Sequence, residues 1–221
     1  MEQPERVKII VADIDRGGVI AIIRATEQAG VVEAGCAIAR GGVTALEVTL
    51  TTPGACTLIQ ELRSRLPANV RVGAGTILNA AAVNRAVDSG AEFIVTPTVQ
   101  IESILASHER GVPIACGAYT PTEALAVYNA GADYVKLFPA EVLGVPYIRA
   151  ILAPLPFLRI VPTGGVSVAN CADFINAGCP AVAIGTGLVN SETLRSRDWC
   201  GLEERARELV RTIQAAREKY S

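Results

Sequence analysis

One local pattern recurs along the chain and constrains its fold more than any other feature: a helical stretch ends in glycine, and a short apolar segment follows at once. The copies are AIARGGVTALEV (37–48), AVDSGAEFIV (86–95), VYNAGADYVKLF (127–138), FINAGCPAVAIG (174–185) and, more loosely, SHERGVPIACG (107–117). Glycine suits the left-handed turn that closes a helix, and a short apolar run is typical of a strand buried on both faces. The irregular spacing argues against a solenoid and indicates repeated βα units.

Eight such apolar segments can be counted, with helical segments between them. The predicted strands are residues 19–24, 45–50, 71–75, 93–96, 114–117, 134–138, 159–162 and 181–185. The predicted helices include residues 54–66, 80–89, 121–130, 168–177 and 202–219, with a short extra helix over 4–16. This alternation predicts an α/β fold, a (β/α)8 TIM barrel that takes residues 1–221 as a single domain. The alternative architecture is a doubly wound open sheet.

Composition limits the partners of such a chain. Half of the residues are hydrophobic and 19% are charged, which excludes a disordered protein. The net charge is −2, so we expect no basic surface for nucleic acid or an anionic membrane. No apolar run approaches the roughly 18 residues of a membrane span, and the first residues lack a signal-peptide pattern. We therefore expect a cytoplasmic protein with neither nucleic acid nor membrane as its partner.

The cysteines and the single histidine lack the spacing of a zinc site. None of the six cysteines forms a C-x-x-C pair, so we expect no Cys/His zinc site. The cysteines lie mostly among apolar residues, which favours buried free thiols, with a disulfide as the alternative. His108 lies in the charged stretch SHERG, and we expect it to be solvated at a helix end.

Two ionisable residues interrupt apolar strands. Lys136 lies between Val135 and Leu137, where burial would lower its pKa and free the amine as a nucleophile. The alternative for Lys136 is a structural ion pair or an exposed edge strand. Glu47 lies in TALEVTL, where burial would raise its pKa and suit it to proton transfer. A structural pair with Lys136 is the alternative for Glu47, and spacing does not separate it from a catalytic pair.

Two glycine-rich loops follow the last two predicted strands. VPTGGVSVAN (161–170) runs from a strand through two glycines to a helix predicted near Ser167, and AIGTGLVN (183–190) ends the next unit. Backbone N–H groups at glycines and at a helix start can bind an anion, and barrels often bind phosphate at these loops. The alternative is that the glycines only form turns.

Six segments together carry a resemblance to a known family. They are LEVTLTTP (46–53), VGAGTI (72–77), FIVTP (93–97), VKLFPAE (135–141), VPTGGV (161–166) and AIGTGLV (183–189). In this order, over about residues 17–190, the chain resembles the class I 2-keto-3-deoxy-6-phosphogluconate and 4-hydroxy-2-oxoglutarate aldolases. The resemblance implies a barrel, Schiff-base chemistry on a small 2-keto acid and a homotrimer. It implies no metal, and we expect no cofactor.

The same resemblance implies roles by position. Lys136 would be the Schiff-base lysine and Glu47 the general acid and base. The residues expected to line the pyruvate pocket are Thr76, Pro97 and Phe138, and those expected to hold the phosphate are Gly164, Gly165, Gly185 and Thr186.

One position departs from the family pattern. Many members have an arginine directly after E-V-T-L that binds the substrate carboxylate, and this chain has Thr51 there. Other members carry an arginine at the end of the first strand, which Arg24 matches. We therefore expect Arg24 to bind the carboxylate through charge-assisted hydrogen bonds. Thr186 stands where serine is common, and its hydroxyl can still donate to phosphate.

The resemblance leaves the acceptor aldehyde open. The expected reaction is cleavage of 2-dehydro-3-deoxy-6-phosphogluconate to pyruvate and glyceraldehyde 3-phosphate. The alternatives are cleavage of 4-hydroxy-2-oxoglutarate to pyruvate and glyoxylate, or of the 6-phosphogalactonate epimer. A phosphate-binding barrel without lyase activity, such as an isomerase or a scaffold, is the alternative from another class, since fold alone does not fix function.

Overall fold

The structure, a computed structural model, describes residues 4–218. Within that range the strands are β1 Val19–Ile23, β2 Ala45–Thr49, β3 Arg71–Gly75, β4 Ile94–Val95, β5 Ile114–Ala118, β6 Tyr134–Leu137, β7 Ile160–Pro162 and β8 Val182–Ile184. The helices are α1 Glu5–Gly17, α2 Val31–Arg40, α3 Ala55–Arg65, α4 Ala80–Asp88, α5 Ile101–Glu109, α6 Pro121–Asn129, α7 Ala140–Leu152, α8 Cys171–Ile175, α9 Ser191–Ser196 and α10 Trp199–Glu218.

All the strands pair in parallel, and the sheet closes on itself. Each strand lies beside its sequence neighbours, β1 also pairs with β8, and a bridge between Thr163 and Ala183 joins the ends of β7 and β8. This confirms the predicted (β/α)8 barrel and excludes the open doubly wound sheet. In the repeated pattern, Gly90 and Gly131 have φ of 93° and 97°, so the left-handed turn after α4 and α6 requires glycine there.

Two apolar clusters sit on either side of the barrel wall. Outside it, strand residues such as Ile23 and Val48 pack against the helices. Inside it, alternate strand residues such as Phe93 and Tyr134 fill the lumen. Helix α1 closes the end where the strands begin, because its Ile10 and Ile14 join the inner cluster.

Several predicted elements differ from the observed ones. The strand predicted over 93–96 is only Ile94–Val95, and the helix predicted over 168–177 is only Cys171–Ile175. Helix α8 starts late because the Asn170 side chain accepts the Ser167 N–H at 2.8 Å and holds a turn. The last helix starts at Trp199, earlier than the predicted 202, and position 219 lies outside the described residues.

His108 is not merely solvated, which corrects the sequence-based expectation. Its Nε2 lies 3.0 Å from Asp133 Oδ2, which also accepts the Ile114 N–H at 2.8 Å. Within the described part of the chain, no helix is long and apolar enough to cross a membrane.

Candidate active site

The site is built by residues that face the lumen where the strands end. Side chains alternate along a strand, so the inward positions of β6 are Tyr134 and Lys136, and those of β2 are Ala45 and Glu47. The lower positions are apolar or aromatic, whereas the upper ones carry an amine and a carboxylate. The ionisable side chains that β2 and β6 point into the lumen therefore lie at the end of the strands farthest from α1.

Lys136 is buried in the wall of the barrel, only 5% exposed. Its neighbours in the parallel ladders are Gly117 on β5 and Val161 on β7, neither of which carries a charge. Burial lowers the pKa of the Lys136 amine; the Glu47 carboxylate opposes this shift, and the Arg24 guanidinium adds to it. The Nζ atom also lies 5.2 Å from the centre of the Phe138 ring. A buried amine with a lowered pKa suits nucleophilic attack on a carbonyl.

Glu47 is 1% exposed and faces the lumen from β2. Its carboxyl group packs against Gly75 of β3, where a Cβ atom would overlap it, so glycine makes room for the acid. Burial raises the pKa of Glu47, and the nearby positive charges of Lys136 and Arg24 oppose the shift. Its Oε2 is buried without a hydrogen-bond partner in residues 4–218. An unpartnered carboxyl oxygen with a raised pKa suits proton transfer to a substrate.

Arg24 and Thr76 meet at the mouth of the barrel. Arg24 directly follows β1, and its Nη2 lies 3.4 Å from Thr76 Oγ1, a long hydrogen bond. Thr76 directly follows β3 and has φ of 58°, a left-handed conformation that is uncommon outside glycine. Such strain is found where a binding site fixes the backbone. The pair offers a guanidinium and a hydroxyl to an anion above Lys136.

Pro97 and Phe138 are the other predicted pocket residues. The backbone carbonyl of Pro97 lies against Gly117, at a distance that leaves no room for a Cβ there, and Gly117 is the ladder neighbour of Lys136. The Phe138 ring is 38% exposed and joined through a cis peptide bond to Pro139. Both residues therefore lie beside the lysine.

The predicted phosphate loops meet at the same rim. Gly164 and Gly165 have φ of 92° and 69°. Gly164 lies against Pro139 of the loop after β6, and Gly165 packs against Glu141 at the start of α7. Gly187 packs against the carbonyl of Val166. The loops after β6, β7 and β8 are thus in contact, but the helix start predicted near Ser167 is absent there. Gly185 directly follows β8, and Thr186 comes next.

The structure also shows residues that the sequence patterns did not reveal. Three threonine hydroxyls, of Thr49, Thr51 and Thr52, form a short chain beside Arg24. Thr51 is marked by its place after E-V-T-L, and Thr49 lies in the segment TALEVTL with Glu47, whereas nothing in the hydrophobic pattern marks Thr52. Cys116, at the end of the fifth predicted strand, is a buried thiol 3.4 Å from Thr96 Oγ1, outside the lumen. In the described range, no cluster of three His, Cys, Asp or Glu residues could hold a metal.

Comparisons with known proteins agree with this geometry. A family model described as "KDPG and KHG aldolase" matches residues 10–204. The chain is 35% identical over 193 residues to a 2-dehydro-3-deoxy-phosphogluconate aldolase of Pseudomonas aeruginosa, with 87% of each chain covered. It is 40% identical over 173 residues to a probable 2-dehydro-3-deoxy-6-phosphogalactonate aldolase of Rhizobium meliloti, covering 76% of this chain and 80% of the relative.

Solved structures show the same fold. A structure titled "Native KDPGal structure" superposes with a TM-score of 0.82 at 29% identity, covering 90% of this chain and 96% of the other. A Legionella pneumophila KDPG aldolase, whose title describes pyruvate captured as a covalent carbinolamine, superposes with a TM-score of 0.79 at 26% identity. That comparison covers 90% of this chain and 97% of the other.

Proposed function

The chain belongs to the KDPG and KHG aldolase family, and from that premise we propose that it is a class I aldolase that cleaves 2-dehydro-3-deoxy-6-phosphogluconate reversibly to pyruvate and glyceraldehyde 3-phosphate. Family membership makes the protein a carbon–carbon lyase, which sets aside the non-lyase barrel. The observation that carries the proposal is the buried Lys136 amine near the Glu47 carboxyl group, whose Oε2 has no hydrogen-bond partner among residues 4–218.

The reaction begins at Lys136. Its neutral amine attacks the C2 ketone, and loss of water gives an iminium ion. Glu47 takes the proton of the C4 hydroxyl, the C3–C4 bond breaks, and its electron pair moves into the iminium to give an enamine. The aldehyde leaves, Glu47 returns the proton to C3, and water hydrolyses the iminium to release pyruvate. One carboxyl group serves as base and then as acid, for which a raised pKa is suited.

The other site residues bind the two ends of the substrate. Arg24 and Thr76 hold the carboxylate. Arg24 does the work of the arginine that many family members carry at the position of Thr51. Pro97 and Phe138 line the pyruvate pocket. The phosphate-binding residues of the proposal are Gly164, Gly165, Gly185 and Thr186. Binding through backbone N–H groups needs glycine, because a side chain would block the approach of the anion.

A second substrate is favoured by one specific observation. The probable phosphogalactonate aldolase of Rhizobium meliloti is 40% identical to this chain, above the 35% of the Pseudomonas aeruginosa enzyme. The phosphogalactonate substrate is the C4 epimer of 2-dehydro-3-deoxy-6-phosphogluconate. It therefore differs at the carbon whose hydroxyl gives its proton to Glu47. A third candidate substrate is 4-hydroxy-2-oxoglutarate. The chain is 32% identical over 195 residues to a KHG/KDPG aldolase of Escherichia coli K12, covering 88% of this chain and 91% of the relative.

Borohydride trapping with pyruvate tests the proposal directly. The sequence has three lysines, Lys8, Lys136 and Lys219, so peptide mass mapping assigns an adduct without ambiguity. We expect the reduced adduct on Lys136, with Lys8 as the internal control. No adduct at any pH from folded protein would contradict the Schiff-base mechanism. The values of kcat/KM for the three candidate substrates then decide among them.

We also propose an oligomeric state and a cell compartment for the protein. The protein is a cytoplasmic homotrimer that acts in sugar-acid breakdown of the Entner–Doudoroff type. Leu78, Ile101 and Leu105 are 54%, 40% and 56% exposed and supply apolar surface for a subunit contact. All six cysteines are free thiols, as a reducing compartment requires. Light scattering after size exclusion measures the oligomeric state, and a monomer would contradict the trimer.

A further inference from the structure

Three threonine hydroxyls join the loop after β1 to the end of β2. The Ala25 N–H donates to Thr52 Oγ1 at 3.1 Å. Thr52 Oγ1 lies 3.3 Å from Thr49 Oγ1, which lies 3.0 Å from Thr51 Oγ1. Thr49 and Thr52 are 0% and 2% exposed, so water does not satisfy these groups. The proposed mechanism does not use this chain of hydroxyls.

The hydrogen bonds among these threonine hydroxyls all point in one direction. Thr52 Oγ1 already accepts a hydrogen bond from the Ala25 N–H, and its own buried O–H must donate. Thr49 is the hydroxyl in reach, so Thr52 donates to Thr49, and Thr49 donates to Thr51. Thr51 is exposed and can donate to water. The buried Thr52 oxygen is therefore a fixed acceptor for the backbone directly after Arg24.

A packing contact joins the same two loops a second time. Gln28 of the first loop lies against Gly54 of the second, where a Cβ would overlap the Gln28 amide. Gly54 has φ of 65°, so the turn at this point also requires glycine. The loop after β1 is thus attached to the loop after β2 at both Ala25 and Gln28.

Arg24 depends on this attachment. Among residues 4–218 its exposed side chain makes only the long 3.4 Å hydrogen bond to Thr76, so no strong contact holds the guanidinium and the backbone position decides where it can reach. We propose that Thr52 is a positioning residue: its buried hydroxyl fixes the Ala25 N–H and so aims Arg24 at the carboxylate of the 2-keto acid. The proposal rests on the function proposed above for Arg24.

Two carbonyl probes separate positioning from folding. Pyruvate and hydroxyacetone both offer a ketone to Lys136, but only pyruvate has the carboxylate that Arg24 would bind. Half-saturating concentrations for borohydride trapping are measured for both probes. We expect Thr52→Val to raise the value for pyruvate about tenfold, the effect of a buried N–H losing its acceptor, with little change for hydroxyacetone. Thr52→Ser, which keeps the hydroxyl, restores the value for pyruvate.

A second buried threonine provides the matched control. Thr96 is 0% exposed and accepts the Gly117 N–H at 3.0 Å, so Thr96→Val removes the same kind of bond on the opposite side of the barrel. We expect the ratio of the half-saturating concentrations for pyruvate and hydroxyacetone to stay at the wild-type value in Thr96→Val, even if this variant is less stable. A fall in the preference for pyruvate as large as that of Thr52→Val would show a general structural effect and overturn the proposal.

An Arg24→Met variant separates failure of the inference from failure of the function it rests on. If Arg24→Met loses the preference for pyruvate but Thr52→Val keeps it, the positioning role is wrong and the carboxylate role of Arg24 stands. If Arg24→Met keeps the preference, both roles are wrong. If wild-type protein traps neither probe, the aldolase mechanism itself fails, and the positioning role fails with it.

Discussion

The two ends of the barrel use charge in opposite ways. At the end closed by α1, Arg71 lies 2.7 Å from Asp13 and 2.8 Å from Glu92, and the Arg159 guanidinium bonds Asp15. At the open end, Glu47 keeps an oxygen without a partner in the described residues, and Arg24 makes only one long bond. Charges are paired at the first end and left available at the second.

The difference shows where the barrel places stability and where it places chemistry. A buried charge without a partner lowers stability, because it has lost water and gained no compensating contact. The closed end avoids this with ion pairs around α1. The open end accepts it at Lys136 and Glu47, whose pKa values burial moves toward each other. Stability and reactivity should therefore respond separately to mutation at the two ends.

Lys136→Met should have the largest effect, and its effects on activity and stability should oppose each other. Without the amine no iminium forms, so we expect kcat to fall about 10⁴-fold or more. The variant also removes a poorly solvated amine, so we expect stability to rise by about 1 kcal/mol. Steady-state kinetics and urea unfolding measure the two quantities. A variant as active as wild type would place the chemistry elsewhere.

Arg71→Met should show the reverse pattern at the closed end. It leaves Asp13 and the buried Glu92 without this partner, so we expect a stability loss of about 3 kcal/mol by urea unfolding. The folded variant should keep its kcat within about twofold, because Arg71 lies far below Lys136 in the barrel. Arg16→Met serves as control, since its pair with Asp13 is exposed and contributes little. Equal losses in both variants would contradict the comparison.

Local sequence signals predicted the barrel because each βα unit carries its own signal. The glycine that ends a helix and the apolar strand after it lie within about ten residues, so no distant contact is needed. The sequence predicts helix α8 to begin too early, because the Asn170 side chain holds a turn before it and periodicity does not reveal such a bond. Strand β4 is shorter than predicted because it forms a single ladder pair with β3, Ala74 with Ile94, and two pairs with β5.

The two ends differ in how much of each could be predicted. Lys136 and Glu47 stand out as charges inside apolar strands, and the structure brings them together with Arg24 and Thr76. Their roles, and those of the phosphate loops, stay predictions. The closed end gave no signal, because Arg71 and Asp13 are separated by 58 positions and Arg159 and Asp15 by 144. Pairing across such distances depends on the finished barrel.

Glu47→Gln should shift the pH dependence of pyruvate trapping at Lys136. The Glu47 carboxylate raises the pKa of Lys136 against the effect of burial, so removing its charge lowers that pKa further. Trapping by pyruvate needs the neutral amine, and its rate rises with pH through that pKa. We therefore expect the rise to begin at lower pH in Glu47→Gln. Glu141→Gln, at the start of α7, is the control and should leave the profile unchanged. A shift to higher pH in Glu47→Gln would contradict the coupling.

His108→Gln should give the smallest effect and confine it to stability. The hydrogen bond to Asp133 raises the pKa of His108 above its ordinary 6.5, and burial partly opposes the shift. The folded state therefore binds the proton more tightly, so the contribution is full below pH 6.5 and is lost as pH rises through the folded pKa. It is about 1 kcal/mol or less, since the ring is partly exposed. Urea unfolding at several pH values should show this decline in wild type and its loss in His108→Gln. Because the sequence has no other histidine, a decline that persists in the variant would assign it to another group.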